Sequence, residues 1–297
     1  MRVAVIGEPG GWHVRRVGER LARRGHEPVV VRWAELGAAV ETGGERFLPA
    51  ALEAAAVALV RGMPGGVMDG DRLERVIARM DMLARLAARG VPVVNHPRAL
   101  EAAIDKYLAA ARLAAAGLPV PRCRIAQGPE AAVAAWHQLG GDCVLKPLFG
   151  SRGRGLARVR DPRDLGPVET GAAEPERVYL LQEFVDHGGW DARILTVGDR
   201  VFAMRRRAAA GDWRTNVSRG GAAEPFAPPT AWVDVALAAA RCLETEVAGV
   251  DIAPAADGGP LVLEVNGVPG WRGLEAATGA DVTGAVVDYA LSKARSR

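Results

Sequence analysis

The chain has 297 residues, 49% of them apolar, 25% charged and 5% aromatic, with a formal net charge of +3. At roughly 150 residues per domain this predicts about two domains with real cores, and it excludes disordered, collagen-like and coiled-coil classes. No apolar run nears the ~20 residues that span a bilayer, and the opening MRVAVIGEPGG breaks at Gly7 and Pro9 before a signal-peptide core could form. The small net charge gives no basic stripe for nucleic acid. Cys123, Cys143 and Cys242 are scattered, with no C-x-x-C pair or metal-ligand spacing, so a reducing cytoplasm is the expected setting.

The elements follow in chain order. MRVAVI (1–6) reads as a buried strand, followed by a Gly/Pro turn and a helix through Arg24 closed by Gly25. PVVVR (28–32) is a second strand, Ala55–Val60 a short apolar run, 70–89 a helix ending at Gly90, and 91–94 another strand. Short strands alternating with helices predict an α/β layer with a parallel sheet over about the first 95 residues. The stretch 105–121 predicts a helix, with Gly117 at its cap and Pro119 and Pro121 beyond. A strand at 122–126, a helix at 129–139 and a strand at 179–185 follow. The segments 192–207 and 248–265 each read as strand, turn, strand, the second turning at Asp257–Gly258–Gly259. The second half is therefore α+β, and no repeat or low-complexity linker interrupts it beyond a Pro-rich patch at 225–229.

Composition adds one pointer. Of 38 basic residues only Lys106, Lys146 and Lys293 are lysines, and asparagine occurs only at Asn95, Asn216 and Asn266. A GC-rich genome disfavours the codons of both, so the positions that retain them stand out. Lys293 falls in a segment expected to be a frayed tail.

Three stretches carry candidate chemistry. In VLKPLFGSRGRGL (144–156), Gly150, Gly153 and Gly155 form a basic loop after a strand that ends in Lys146. Glycines let backbone N–H groups approach an anion, and a lysine supplies a compact charge for phosphate. An ordinary hairpin with surface arginines has the same composition. In GVDIAPAADGGPLVLEVNGVPG (249–270), Glu264 and Asn266 alternate onto one face of a strand, about 6–7 Å apart, with Asp251 on the neighbouring strand. Two carboxylates and an amide oxygen suit Mg²⁺ holding a nucleotide's phosphates. A solvated sheet face is the alternative, against which Asp251 lies in an apolar strand. The third stretch, MRRRAAAGDWRTNVSRGG (204–221), holds Arg205, Arg206, Arg207, Arg214, Asn216 and Arg219, either solvated surface or a clamp for anionic oxygens.

Taken in order, AIDKYLAAARLAAAGLPVP, VLKPLFGSRGRGL, LLQEFVDHGGWDAR, WRTNVSRGG and GVDI…LVLEVNGVPGWRGLEAATG resemble the ATP-grasp superfamily and, within it, the RimK-type glutamate ligases. The resemblance implies an ATP-grasp fold of α/β and α+β parts. It divides the chain into an N-terminal parallel α/β domain (1–95), a central subdomain with a glycine-rich lid (96–180) and a C-terminal subdomain carrying the metal site (181–297). It puts Lys106 and Lys146 on ATP phosphates, with Gly150, Gly153 and Gly155 in the lid. Glu183 and Phe184 fall at the adenine hinge, reading the base through backbone groups and apolar packing, and Asp191 near the ribose. Arg214, Thr215 and Asn216 line the triphosphate. Asp251, Glu264 and Asn266 match the ligands of Mg²⁺ (or Mn²⁺). Arg206 and Arg219 match groups that stabilise the transferring phosphoryl and the acyl-phosphate, although the register within 205–207 is ambiguous.

The implied reaction is attack of a carboxylate on the γ-phosphate of ATP, then of an amine on the acyl-phosphate, with charge stabilisation and water exclusion in place of an enzyme nucleophile. L-glutamate is the implied amine, and the carboxylate acceptor is a coenzyme, peptide or carrier protein. PGWRGLEAATG (269–279) looks most like ligases acting on a tetrahydromethanopterin-type coenzyme. Trp12 and His13 are candidates for the acceptor side, and Trp271 is either functional or a core or lid aromatic. The five histidines lack metal spacing and are expected in loops or on the surface. Two alternatives stay open: a carrier-protein ligase of lysine or arginine biosynthesis, and a non-catalytic ATP-binding module. Neither nucleic acid nor membrane is an expected partner, and homo-oligomer formation stays open.

Overall fold

The computed structural model describes residues 1–62, 72–150, 155–165, 177–217 and 220–294. Strand β1 (Arg2–Ile6) is fully buried from Val3 to Ile6, as a central parallel strand covered on both faces requires. Helix α1 (Trp12–Arg23) turns Val14, Val17 and Leu21 inward at helical spacing, and Gly25 ends it at φ +74°. Strand β2 (Glu27–Val31) then pairs parallel to β1. A hairpin absent from the sequence reading follows, β3 (Gly37–Glu41) and β4 (Gly44–Leu48), turning through Gly43 and Gly44 at φ +104° and +149°. The chain returns on the other side of β1 as β5 (Val57–Val60), continues through α2 (Arg72–Ala88) and enters β6 (Val93–Val94). The parallel order is β2-β1-β5-β6.

The helix expected over 105–121 is the second of two, α3 (Pro97–Ile104) and α4 (Lys106–Ala115). Asp105 leaves the helical region at φ −84°, ψ 106°, and its carboxylate caps α4 by accepting from Leu108 N–H at 2.9 Å. A central antiparallel sheet, ordered β7-β10-β8-β9, comes next. It comprises β7 (Cys123–Gln127), β8 (Cys143–Lys146), β9 (Ala157–Val159) and β10 (Val178–Glu183), with α5 (Pro129–Gln138) packed against it. The boundary expected at 180 therefore cuts β10.

The third sheet holds β11 (Trp190–Val197), β12 (Arg200–Arg207) and β13 (Ala222–Pro225), then, after α6 (Thr230–Cys242), β14 (Val247–Pro254) and β15 (Pro260–Asn266). Its order is β13-β12-β11-β14-β15, antiparallel throughout. Side chains alternate across such a sheet. One face, with Ala192, Ile194, Val250 and Ile252, packs under Trp232, Ala236 and Ala239 of α6 and reaches Ala109 and Leu113 of α4. Along the other face the character changes: Leu195, Val197, Met204 and Val247 enter the core of the first sheet, whereas Asp191, Arg193, Arg206 and Asp251 carry charge.

The chain ends in α7 (Arg272–Thr278) and α8 (Val282–Ala294), both packed into that first core. The frayed tail expected around Lys293 is thus corrected. Lys293 sits in α8 with its ammonium 2.6 Å from Glu246, because α8 is apolar on nearly every side and closes the core of the first sheet. Asn95, 2% exposed, joins the two halves. Its amide nitrogen donates to the carbonyls of Val247 (2.7 Å) and Gly267 (2.6 Å), and its oxygen accepts from Glu246 and Val247 N–H. No helix among the described residues is long and apolar enough to cross a membrane.

Candidate active site

The charged end of the third sheet is a buried ion network set by strand register. Asp191 lies opposite Arg206 across β11–β12, and Arg193 opposite Asp251 across β11–β14. Arg206 donates through Nε (2.7 Å) and Nη2 (2.6 Å) to the two oxygens of Asp191, and its Nη2 lies 2.9 Å from Asp251 Oδ2. Arg193 grips Asp251 with Nε and Nη2, the latter at 2.7 Å, and Thr215 donates its hydroxyl to Asp191 at 2.6 Å. Asp191, Arg206 and Asp251 are 3%, 4% and 6% exposed. Burial disfavours the charged forms of Arg206 and Asp251, yet Asp251 and Asp191 outweigh it at Arg206 and raise that guanidinium, while Arg193 and Arg206 hold the Asp251 carboxyl below its ordinary range. Arg193 escaped the sequence reading. Its signal was the pair Asp191/Arg193 at strand spacing inside an otherwise apolar strand.

Next to this network, Glu264 lies opposite Asp251 and Asn266 opposite Gly249 on β14–β15. A Cβ at Gly249 would stand 3.0 Å from Pro269 Cβ and 3.2 Å from Arg193 Cδ, so a glycine lets the segment after β15 fold over the site. Lys106, at the first position of α4, points its ammonium to within 3.7 Å of Glu264 and donates to the Gly150 carbonyl at 2.8 Å. Lys146, the last residue of β8, lies with its ammonium 3.5 Å from Leu263 O. Burial lowers its pKa; Glu264 opposes that shift and Lys106 adds to it. Between α4, the central sheet and β15 runs a narrow pocket lined by both lysines, Cys123, Gln182, Leu263 and Glu264. Apolar walls from two sheets, with two ammoniums and a carboxylate among them, suit a flat ring with an anionic tail.

The model of the RimK-like ATP-grasp domain matches residues 103–290, which includes both lysines, the ion network and the β14–β15 pair. The chain belongs to the RimK-like ATP-grasp family. It is 32% identical to tetrahydromethanopterin:alpha-L-glutamate ligase of Methanosarcina acetivorans over 96% of each chain. It is also 30% identical to a probable alpha-L-glutamate ligase of Teredinibacter turnerae over 99% of this chain and 97% of that one. Among solved structures it matches ATP-grasp ligase PsnB complexed with minimal precursor, at a TM-score of 0.77, 27% identity and 98% coverage of both chains. A RimK domain ATP-grasp protein from Sphaerobacter thermophilus matches at a TM-score of 0.70 and 27% identity, over 98% of this chain and 100% of that one. The chain is accordingly an ATP-grasp ligase, as its sequence implied.

The structure distributes the expected residues of this family over three places. Lys106, Lys146, Asp251, Glu264 and Asn266 converge with Arg206 around the buried network and the pocket. Gly150 joins them through its carbonyl, and Gly155 takes φ +72°, where an added Cβ would stand 3.4 Å from Pro147 Cγ. Gly153 and Arg219 lie outside the described residues. Asp191, expected near the ribose, lies beneath the surface with both oxygens accepting from Arg206 and one of them also from Thr215. Thr215 is held there by the same contact, whereas Arg214 turns back onto Asp212 at 2.9 Å, and Asn216 accepts from Gly221 N–H.

Glu183 and Phe184 sit at the end of β10, but their backbone N–H groups already donate to Arg122 O (2.9 Å) and Asp142 O (3.1 Å). Those two donors are thus engaged within the protein, and Glu183's carboxylate holds Arg122. Phe184 instead lines an outer groove with Trp213, His187 and Arg158, whose guanidinium lies 3.3 Å from the ring centroid. His187 lies in a loop, as expected of the histidines, but is only 8% exposed there.

Trp271 is a core residue. It is fully buried, donates Nε1–H to Thr283 at 2.9 Å and its backbone N–H to His13 Nε2 at 2.9 Å, and carries the Arg61 guanidinium 4.1 Å from its ring centroid. His13 therefore braces the segment after β15.

Proposed function

We propose that the protein joins the amine of L-glutamate to a substrate carboxylate, at the expense of ATP, through an acyl-phosphate. The observation that carries this reading is the convergence of Lys106, Lys146 and Glu264 on one pocket, with Asp251 paired to Glu264 on the neighbouring strand. Asp251, Glu264 and Asn266 are the hard-oxygen types that suit Mg²⁺ or Mn²⁺, and Glu264, 35% exposed, is open toward the pocket, whereas the Asp251 oxygens also accept from Arg193 and Arg206 and the Asn266 side-chain oxygen accepts from Val268 N–H. Those three residues would hold the ion, which when bound would screen the phosphates from the incoming carboxylate. Lys106 and Lys146 draw the phosphate chain to the β15 edge. Arg193 and Arg206 fix the Asp251 carboxylate in one orientation. Arg206, expected at the transferring phosphoryl, acts in this reading as a positioning residue, since it is buried between two carboxylates. Phosphoryl transfer then depends on placement and charge rather than on an enzyme nucleophile.

L-glutamate rests on the full-length relatives named alpha-L-glutamate ligase, one of them acting on tetrahydromethanopterin. A peptide carboxylate is the second reading for the acceptor, favoured by the match to PsnB over 98% of both chains. The test is ADP release with ATP, Mg²⁺ and L-glutamate, followed by mass spectrometry of coenzyme and peptide pools. Glutamyl increments on a coenzyme support the first acceptor. Increments on a peptide, or peptide products lacking one water, support the second. Lys146→Ala and Glu264→Ala are expected to abolish ADP release while the circular dichroism spectrum stays unchanged. Full activity in either variant would sink the assignment.

A further inference from the structure

In the first sheet the chain moves from β1 to β2 on one side and then crosses to β5 and β6 on the other. In an open parallel sheet such a reversal opens a crevice at the carboxyl ends of the two central strands, where ligands bind. Here the crevice is bounded by Gly7 after β1 and by Arg61 and Gly62 after β5. A Cβ at Gly7 would stand 3.2 Å from the Arg61 carbonyl. The first turn of α1 opens into the same place, with Gly11 as its cap residue, no capping side chain and no acidic residue. Its first N–H groups therefore lack an intrahelical acceptor.

The second, independent feature is Arg61 itself. It is 8% exposed, yet no carboxylate among the described residues pairs with it. Nη2 donates to Pro269 O at 2.7 Å, whereas Nε is buried without an acceptor. Burial pulls the guanidinium down to about 9. Trp33 Nε1, at the same crevice beside Gly62, is also buried and unsatisfied. Arginine is almost never buried without a counter-charge, and the described residues give Arg61 none. Both Arg61 and His13 of α1 rest on Trp271, and Pro269 leads back along the chain to Asn266.

We propose that this crevice is a carboxylate-binding subsite for an organic substrate of the ligase, with Arg61 as its counter-charge and the first turn of α1 as its backbone donors. The inference rests on the ligase reading and adds the substrate contact on the N-terminal sheet. It would orient a substrate whose reacting end lies at the β14–β15 edge.

Equilibrium dialysis of the full-length protein with ADP and Mg²⁺ tests it, using radiolabelled L-glutamate as the amine probe and N-acetyl-L-glutamate as a carboxylate probe without a free amine. Arg61→Met is expected to weaken binding at least about tenfold, the value of a charge-assisted contact. Gly10→Asp is expected to act in the same direction without touching the Arg61–Pro269 bond, since a Cβ at Gly10 meets nothing within 4 Å. A merely structural Arg61 would leave Gly10→Asp neutral. Loss confined to L-glutamate assigns the subsite to the amine substrate, and loss confined to the N-acetyl probe assigns it to the acceptor. Wild-type affinity for both probes in either variant overturns the proposal, as does a wild-type protein that binds ADP with Mg²⁺ but neither probe. Failure to bind ADP with Mg²⁺ at all would instead strike the ligase reading.

Discussion

Replacing Arg206 by methionine removes a guanidinium that is 4% exposed and makes three charge-assisted contacts, two to Asp191 and one to Asp251. The two carboxylates are left unequal. Asp251 keeps Arg193, whereas among the described residues Asp191 keeps only the Thr215 hydroxyl. Removing one partner of a buried pair costs about 3–5 kcal/mol, because the remaining ion stays desolvated. Methionine restores part of the packing, so Arg206→Met is expected to lose about 3 kcal/mol. Asp191→Leu in the same background removes the stranded anion, and the double variant is expected to recover about 2 kcal/mol of that loss. Urea unfolding followed by tryptophan fluorescence and far-ultraviolet circular dichroism reads both quantities. With a denaturant slope of about 3 kcal/mol/M, the single variant shifts the midpoint by about 1 M. A shift equivalent to less than about 1 kcal/mol, or a double variant no more stable than Arg206→Met, would refute the claim that charge compensation fixes this end of the sheet.

Asn95→Ala strips partners from four backbone groups at the junction of the two halves and is expected to cost at least about 3 kcal/mol in the same assay. Trp271→Ala is expected to cost about 3–5 kcal/mol as a core deletion, and Trp271→Phe markedly less, with urea midpoints as the check. The Cys143 thiol is fully buried, and desolvation, with Asp142 adding to it, pushes it up to about 11. A raised thiol pKa means little thiolate at neutral pH, so a disulfide reagent at pH 8 is expected to leave Cys143 unmodified, with reactivity appearing only as pH approaches 11. Peptide mapping that finds Cys143 fully modified in native protein at pH 8 would contradict this. Truncation before Val282 removes α8 from the first core and is expected to yield insoluble protein.

Much of this architecture was written locally. The unbroken apolar run at Val3–Ile6 marks a central parallel strand, and Asp257–Gly258–Gly259 marks the β14–β15 turn, where Gly258 takes φ +81°. The scarcity of lysine and asparagine pointed to Lys106, Lys146, Asn216 and Asn266, of which both lysines line the pocket and Asn266 lies on β15 beside it, whereas Asn95 is retained for a different reason, as the four-bonded joint between halves. Helices α6 and α8 were harder to read because they are rich in alanine and apolar on most sides, which flattens the periodic signal. Arg193 was invisible for another reason. Its importance lies in which strand pairs beside it, and register is a property of the assembled sheet. The same holds for Glu183 and Phe184: motif order located them, but only the fold reveals that their N–H groups are already used.

The sheet face that passes from Leu195 and Val197 to Arg193 and Asp191 has a consequence for how the fold finds itself. A slip of one residue in β11 would carry both charges beneath α6 and turn Ala192 and Ile194 toward Arg206 and Asp251, stranding four ions at once. Pairings offset by one are therefore penalised at both ends of the strand, by lost apolar burial at one and by unmatched charge at the other. The residues that would serve catalysis thus double as an alignment key for the sheet that carries them, and a sequence that lost them would lose the means of telling its correct pairing from the next.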